Sequence, residues 1–321
     1  MVSRSSGEIV DQLKLARVPT PITTIAEFAP LTIHIKRDDL TGLLTTGNKI
    51  RKLSYLLSEA KTQGAEVVIT CGGIQSNHAR ATVIACRRVG LQPLLVLRGE
   101  PPSFLEGNFF IDSLAGADFR FITKAEYENV DRIMEEIKKG LELMGKKAYI
   151  IPEGGSNEVG ALGYRDCFYE LYDYLIANRI EKIYLPVGSG GTYAGMLIGK
   201  KLKGASTRLV GVIVCDTIEY LTGRIKDIVN RAIERFGYDF DLENDDIELI
   251  DYQGEGYGIP YPEEIEIIKR LARKGIFLEP IYTGKAFYGM VKEESHGNIL
   301  FLHTGGLFGL FPYREQFQSA S

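Results

Sequence analysis

Gly47-Asn48-Lys49-Ile50-Arg51-Lys52 is the stretch around which this chain is organised. A flexible glycine and a turn-prone asparagine deliver Lys49 just where Leu53, Leu56, Leu57 and Ala60 begin to recur at helical spacing. A lysine at a helix N-terminus sits in a field that disfavours its charge. Burial lowers its pKa further, toward the neutral amine that forms a Schiff base. An arbitrary lysine in this position is more often solvated, beside Arg51 and Lys52, so the rest of the chain has to decide.

The 321 residues are enough for two domains or one large α/β unit. Apolar residues at 45% allow a sizeable core, and the net charge of −4 argues against nucleic acid as the main partner. Cys71, Cys86, Cys167 and Cys215 form no CxxC pair, and His34, His78, His296 and His303 form no HExxH. No disulfide framework and no metal site is expected, and the thiols suit a reducing, cytoplasmic setting. No signal peptide is read at the N-terminus, and no apolar run nears the roughly 20 residues of a membrane span.

Residues 9–16 read as a short amphipathic helix ended by Pro19 and Pro21. Residues 31–36 alternate like a strand. From Lys49 onward, strand and helix alternate. Strands are expected at 67–70, 94–97, 119–122, 148–151, 183–187, 209–214 and 299–302. Helices are expected at 79–89, from 108, at 126–144, around 164–175, and at 194–202, 218–233, 263–274 and 284–294. Residues 237–262 read as a long surface excursion. The expected fold class is α/β: two open twisted parallel sheets with helices on both faces. Residues 50–155 are expected to form the smaller domain, and 1–49 with 156–321 the larger.

In such folds ligands bind beyond the strand C-termini, and the glycine-rich loops here directly follow predicted strands. Gly188-Ser189-Gly190-Gly191-Thr192 links a strand to a helix, so its backbone N–H groups can cradle a phosphate, or simply form a tight turn. It is no Walker A loop. Tyr193 also stands where a dinucleotide fingerprint needs its third glycine, which leaves a nicotinamide enzyme, with Asp216 on the ribose, as a minor alternative. Gly72-Gly73-Ile74-Gln75-Ser76-Asn77-His78 offers a hydroxyl and an amide at a helix start, either a carboxylate cradle or a plain N-cap.

Together these segments resemble the pyridoxal-phosphate enzymes of the tryptophan-synthase-β type (fold type II), in the branch of D-cysteine desulfhydrase and 1-aminocyclopropane-1-carboxylate (ACC) deaminase. Lys36-Arg37-Asp38-Asp39-Leu40, Gly256-Tyr257-Gly258, Tyr282-Thr283-Gly284-Lys285 and His303-Thr304-Gly305-Gly306 extend the resemblance over almost the whole chain. The resemblance implies pyridoxal 5'-phosphate as cofactor, a small amino acid as substrate, and a homodimer. It makes Lys49 the lysine joined to the cofactor and the proton shuttle at Cα. Asn77 would bond the cofactor's phenolic oxygen, Gly188 to Thr192 would hold the phosphate, and Lys52 would help by charge. Ser76, with Gln75, Asn77 and His78, would bind the substrate carboxylate. Tyr257 and Tyr282 would line the substrate side, Tyr282 as a candidate base.

In ACC deaminases the residue after Tyr in Tyr-x-Gly-Lys is a Glu that faces the pyridine nitrogen. Here it is Thr283, and Thr304 stands where those deaminases tend to have Leu. A hydroxyl does not hold a proton on that nitrogen, so a weaker electron sink is expected. That suffices for a thiolate leaving group but not for opening a cyclopropane. The expected reaction is α,β-elimination of D-cysteine to pyruvate, hydrogen sulfide and ammonia. The alternatives are ACC deamination and a lyase for another β-substituted amino acid such as cysteate.

Overall fold

The computed structural model describes residues 8–318. Its strands are β1 Ile22–Ile25, β2 Leu31–Arg37, β3 Val67–Gly73, β4 Gln92–Arg98, β5 Asp118–Ile122, β6 Ala148–Ile150, β7 Lys182–Val187, β8 Arg208–Ile213, β9 Glu248–Asp251 and β10 Gly297–His303. Its α-helices are α1 Lys49–Thr62, α2 Asn77–Val89, α3 Gly107–Leu114, α4 Lys124–Tyr127, α5 Val130–Leu143, α6 Glu158–Ala177, α7 Gly191–Lys203, α8 Ile218–Phe236, α9 Pro262–Ala272 and α10 Thr283–Glu293.

The strands form two sheets, ordered β1-β2-β10-β7-β8-β9 and β5-β4-β3-β6. All pairings are parallel except β1 with β2. Parallel sheets need cover on both faces, and the side-chain alternation provides it. In β3, Val67, Ile69 and Cys71 join one apolar cluster with Val130 and Met134 of α5. Val68, between them, points into the main core with Leu53, Leu57 and Ala60 of α1. That core continues through α6, α7 and α8, with α1 packed against α2 and α6.

The start of α1 is fixed by buried charge. Arg51 donates from Nε to Asp38 Oδ2 at 2.7 Å, from Nη2 to Asp38 Oδ1 at 2.9 Å, and from Nη1 to Glu170 Oε1 at 2.7 Å. Tyr164 and Thr20 donate their hydroxyls to the same Asp38 carboxylate at 2.6 and 2.7 Å. Burial pushes the Asp38 carboxyl up, but Arg51 and the two hydroxyls outweigh it and hold the group below its ordinary range.

Three expectations from the sequence are corrected. Residues 9–16 form no helix: Leu13 N–H bonds Ser54 O, Arg17 N–H bonds Thr41 O, and Leu13 and Leu15 pack on the main core, so long-range contacts override the local pattern. The helix expected over 126–144 is two, because a capping box on Thr123 and Glu126 starts the short α4 early and Asn129 leaves helical geometry before α5. Residues 237–262 are not all excursion, since β9 adds a parallel edge strand to β8, with Leu249 and Ile250 partly buried.

Arg51→Met leaves Asp38 buried beside Glu170 without its partner. It is expected to lower stability by about 3–5 kcal/mol, read as the urea midpoint of tyrosine fluorescence. Arg132→Met, which breaks the exposed Arg132–Glu136 pair on α5, is expected to leave that midpoint unchanged.

Candidate active site

The C-terminal ends of the strands of both sheets open onto one cleft of about 1660 Å³. That is ample for a drug-sized cofactor with a small substrate beside it. Of the residues singled out from sequence, Lys49, Gln75, Ser76, Asn77, His78, Gly188, Ser189, Gly190, Thr192, Tyr257, Tyr282 and Thr304 line it. Lys52, Gly191 and Thr283 lie buried behind its wall.

Lys49 is the first residue of α1 and faces the cleft. It makes no hydrogen bond or ion pair among the described residues. Burial of its amine lowers the pKa to about 8, against the opposing charge of Glu153. Its place is set from both sides: Asn48 N–H bonds Thr304 O at 2.9 Å, and Asn48 Nδ2 donates to Thr192 Oγ1 at 3.0 Å. Three residues on, Lys52 donates only to Gly154 O and Ser156 Oγ, each at 3.2 Å. Burial, then the charge of Lys49, drives its pKa well below the ordinary value.

Two buried amines with no carboxylate bonded to either ask for an anion. The neighbouring loop is built to hold one. Gly190 has φ +81°, α7 starts at Gly191, and α7's first N–H groups point back at the cleft end. A side chain at Gly191 would meet Ser156 Oγ at 2.5 Å, so the backbone must pass close. Ser156 Oγ bonds Ser189 Oγ at 2.7 Å and accepts Gly191 N–H at 3.2 Å. Loop, hydroxyls and Lys52 together fit a phosphate monoester, and Lys49 is the free amine a cofactor aldehyde needs.

Ser76 does cap α2, its Oγ accepting Ala79 N–H at 3.1 Å, which leaves the hydroxyl proton available. His78 is neutral: burial, then Lys49 and Lys52, keeps its pKa well below the ordinary value. Its Nε2–H donates to Thr70 Oγ1 at 2.9 Å, because Thr70 already donates to Ile151 O. Its Nδ1 is buried without a partner.

On the opposite wall Tyr257 and Tyr282 share a hydroxyl–hydroxyl bond of 2.8 Å. Tyr257 is half exposed, yet desolvation of its hydroxyl end raises the phenol to about 12, and burial raises Tyr282 well above its ordinary value, so neither is prepared as a phenolate by its surroundings. Behind them is a carboxylate the sequence reading passed over. Glu279 lines the cleft and accepts the N–H groups of Ile281, Tyr282 and Thr283 at 2.8, 2.8 and 2.9 Å, capping the start of α10. Burial nevertheless raises it to about 7. Thr283 Oγ1 accepts Glu279 N–H at 2.9 Å. The signal available for Glu279 was an acidic residue just ahead of a helix start, followed by a proline.

Two further residues, unassigned from sequence, hold loops in place. Lys285 Nζ donates to Gly256 O at 2.7 Å and to Gln253 O, which tethers the loop carrying Tyr257. His303 Nε2–H donates to Phe277 O at 3.0 Å and its Nδ1 accepts Gly305 N–H at 3.2 Å, which sets the turn at Thr304. Among the described residues there is no metal-binding group of acidic, His or Cys side chains, and no helix long and apolar enough to cross a membrane.

Comparison with known proteins agrees with this cleft. Residues 13–305 match the family model described as pyridoxal-phosphate dependent enzyme. A protein of Thermotoga maritima named putative 1-aminocyclopropane-1-carboxylate deaminase is 44% identical, covering 94% of this chain and 97% of its own. The mitochondrial bifunctional D-cysteine desulfhydrase/1-aminocyclopropane-1-carboxylate deaminase of Arabidopsis thaliana is 37% identical, covering 95% and 80%. A crystal structure described as an ACC deaminase homologue superposes with a TM-score of 0.90 at 37% identity, covering 97% of this chain and 96% of that one. The chain therefore belongs to the pyridoxal-phosphate dependent enzymes of fold type II, among the homologues of ACC deaminase and D-cysteine desulfhydrase, and its cofactor is pyridoxal phosphate.

Proposed function

We propose that this enzyme removes hydrosulfide from D-cysteine, giving pyruvate, hydrogen sulfide and ammonia. The observation that carries an elimination is the unbonded amine of Lys49, lowered to about 8, in one cleft with a hydrogen-bonded tyrosine pair. Bound pyridoxal phosphate supplies the electron sink that lets the Cα proton and the Cβ substituent leave. Gly188 to Thr192 and Lys52 hold its phosphate, and Asn77 and Thr304 meet its ring. Ser76 Oγ–H and the first N–H groups of α2 hold the substrate carboxylate at the positive end of that helix. Lys49 takes the Cα proton, having the pKa for it that the tyrosines lack. The sulfur leaves from Cβ with the C–S electron pair, and water completes the hydrolysis to pyruvate and ammonia. Residues 1–49 and 156–321 act as the larger, phosphate-holding unit, and 50–155 as the smaller one that brings Ser76 and Asn77.

The hydroxyl at Thr304 favours the thiolate substrate, whereas Thr283, expected from sequence to share that role, lies behind the wall with its hydroxyl bonded to Glu279 N–H. Glu279 supports a second reading. Its Oε2 accepts one N–H and keeps a free lone pair, so a carboxylate on this wall would strengthen the electron sink enough for ACC. The names of the relatives, putative ACC deaminase and a bifunctional enzyme, speak for the same alternative. A homodimer in the cytoplasm completes the proposal. It is supported by the exposed apolar side chains of Phe104, Leu105, Phe110 and Leu114, on and just before α3, and by four unpaired thiols.

Purified enzyme offered D- and L-cysteine, ACC, cysteate and D-serine is expected to release sulfide from D-cysteine fastest, with little 2-oxobutyrate from ACC. Comparable rates on ACC overturn the choice of substrate. In that event Glu279→Gln is expected to remove the ACC activity while sparing D-cysteine. Lys49→Ala is expected to lose turnover together with the visible absorbance that marks a cofactor joined to lysine, and full turnover in that variant refutes the site. Lys52→Met is expected to weaken pyridoxal phosphate roughly 10- to 100-fold, the worth of a hydrogen bond to a charged group. By equilibrium dialysis it leaves the affinity for pyridoxal, which has no phosphate, unchanged.

A further inference from the structure

Asn77 faces the cleft, and its amide can present either a carbonyl or an NH₂ group there. Which one it presents is decided outside the cleft by a chain of hydrogen bonds that begins at a residue unable to accept any. Arg80 of α2 is fully buried. Its guanidinium donates from Nε to Asn108 Oδ1 at 2.8 Å, from Nη2 to Thr46 O at 3.2 Å and from Nη1 to Leu44 O, and it lies 4.8 Å from the centre of the Phe308 ring. A guanidinium has five donors and no acceptor. The atom of Asn108 that meets it must therefore be oxygen, which places Asn108 Nδ2 on the other side. There Nδ2 gives one hydrogen to Gln75 O at 2.8 Å and one to Asn77 at 3.1 Å. Gln75 O only accepts, so the orientation of Asn108 is locked twice. The atom of Asn77 that receives the second hydrogen must be Oδ1. Asn77 Nδ2 is left for the cleft, and it donates to nothing among the described residues.

The rest of the neighbourhood keeps Asn108 where it is. Its own N–H donates to Gln75 Oε1 at 2.9 Å, and Gln75 Nε2 donates to Glu106 O at 3.1 Å. Arg80 also clamps the loop that leads into Lys49, because Thr46 and Leu44 are its carbonyl partners. Asp112, one turn beyond Asn108 on α3, is the buried carboxyl nearest in charge to Arg80, and both its oxygens lack partners.

We propose that Arg80 and Asn108 are positioning residues that fix the polarity of Asn77, so that the cleft always meets an N–H donor there, matched to an ionised oxygen on the cofactor. This rests on the reading that Asn77 bonds the cofactor's phenolic oxygen. A donor at that oxygen favours its ionised form, and an acceptor there disfavours it.

Asn108→Asp keeps the shape and the partnership with Arg80 but turns the face toward Asn77 from donor to acceptor. Asn77 then meets it with Nδ2 and shows Oδ1 to the cleft. The experiment is a pH titration of the visible spectrum of the cofactor-loaded protein, together with the cofactor dissociation constant of the stripped protein, for wild type, Asn77→Ala, Asn108→Asp and Asn108→Ala. The expected result is a spectral midpoint raised by about one pH unit in Asn77→Ala and by at least as much in Asn108→Asp. Cofactor binding in Asn108→Asp weakens roughly tenfold, and Asn108→Ala falls in between. A raised midpoint in Asn77→Ala with a wild-type midpoint in Asn108→Asp overturns the proposal and leaves the role of Asn77 standing. Wild-type midpoints in both overturn that role and the proposal with it. Should Asn108→Asp fail to fold by circular dichroism, Asn108→Ala decides by the same reading: a raised midpoint supports the proposal, and an unchanged one overturns it.

Discussion

Everything in the cleft depends on where α1 begins, and that point is set by an ion pair buried out of reach of water. Arg51 is two residues past Lys49 and is held by Asp38 at the end of β2 and by Glu170 on α6. Ionic groups in such a place do little for net stability compared with well-packed apolar side chains. Their value is directional. A bidentate pair fixes the rotation of the helix about its axis, which apolar packing of Leu53, Leu56 and Leu57 alone does not. Rotation of α1 is what aims Lys49 at the cleft and Lys52 behind its wall.

The same helix places two amines where no carboxylate is bonded to either. Lys36 and Arg51, also buried, are each met by Glu170. Lys49 and Lys52 are met only by neutral oxygens or by none. Burial therefore depresses both, and the charge of Lys49 depresses Lys52 further. The contrast within one buried region separates cations that hold the fold from cations that wait for a ligand. On the far wall burial acts on acids in the opposite sense, raising Glu279, Tyr257 and Tyr282.

The glycine loops, the parallel sheets and the register of α1 were legible because each has a local cause: period-two alternation in β3, helical spacing after Lys49, small residues between strand and helix. The failures share a different cause. Ile9 and Leu13 stand at helical spacing, yet backbone bonds to Ser54 and Thr41 hold that segment out. Leu249 and Ile250 are too short a run to announce a strand without β8 beside them. Arg80, Asn108 and Glu279 carry no motif; what they do comes from partners 28 or more residues away for the first two, and from a helix start for the third. Ser76 is the N-cap that the sequence offered as one of two readings; the cap uses the oxygen and leaves the proton free.

Helix α6 carries a glycine at 163, an interior position where glycine costs about 0.5–1 kcal/mol relative to alanine. The reason is contact between main chains: a methyl group there would lie 2.5 Å from the Arg51 carbonyl oxygen and 2.9 Å from Lys52 N. Two helices thus touch backbone to backbone at the very turn that bears both lysines. Position 163 never meets a substrate, yet any side chain there would lever α1 away. Harm at that spot would arrive as a misaimed amine, in a protein whose cleft residues were all still present.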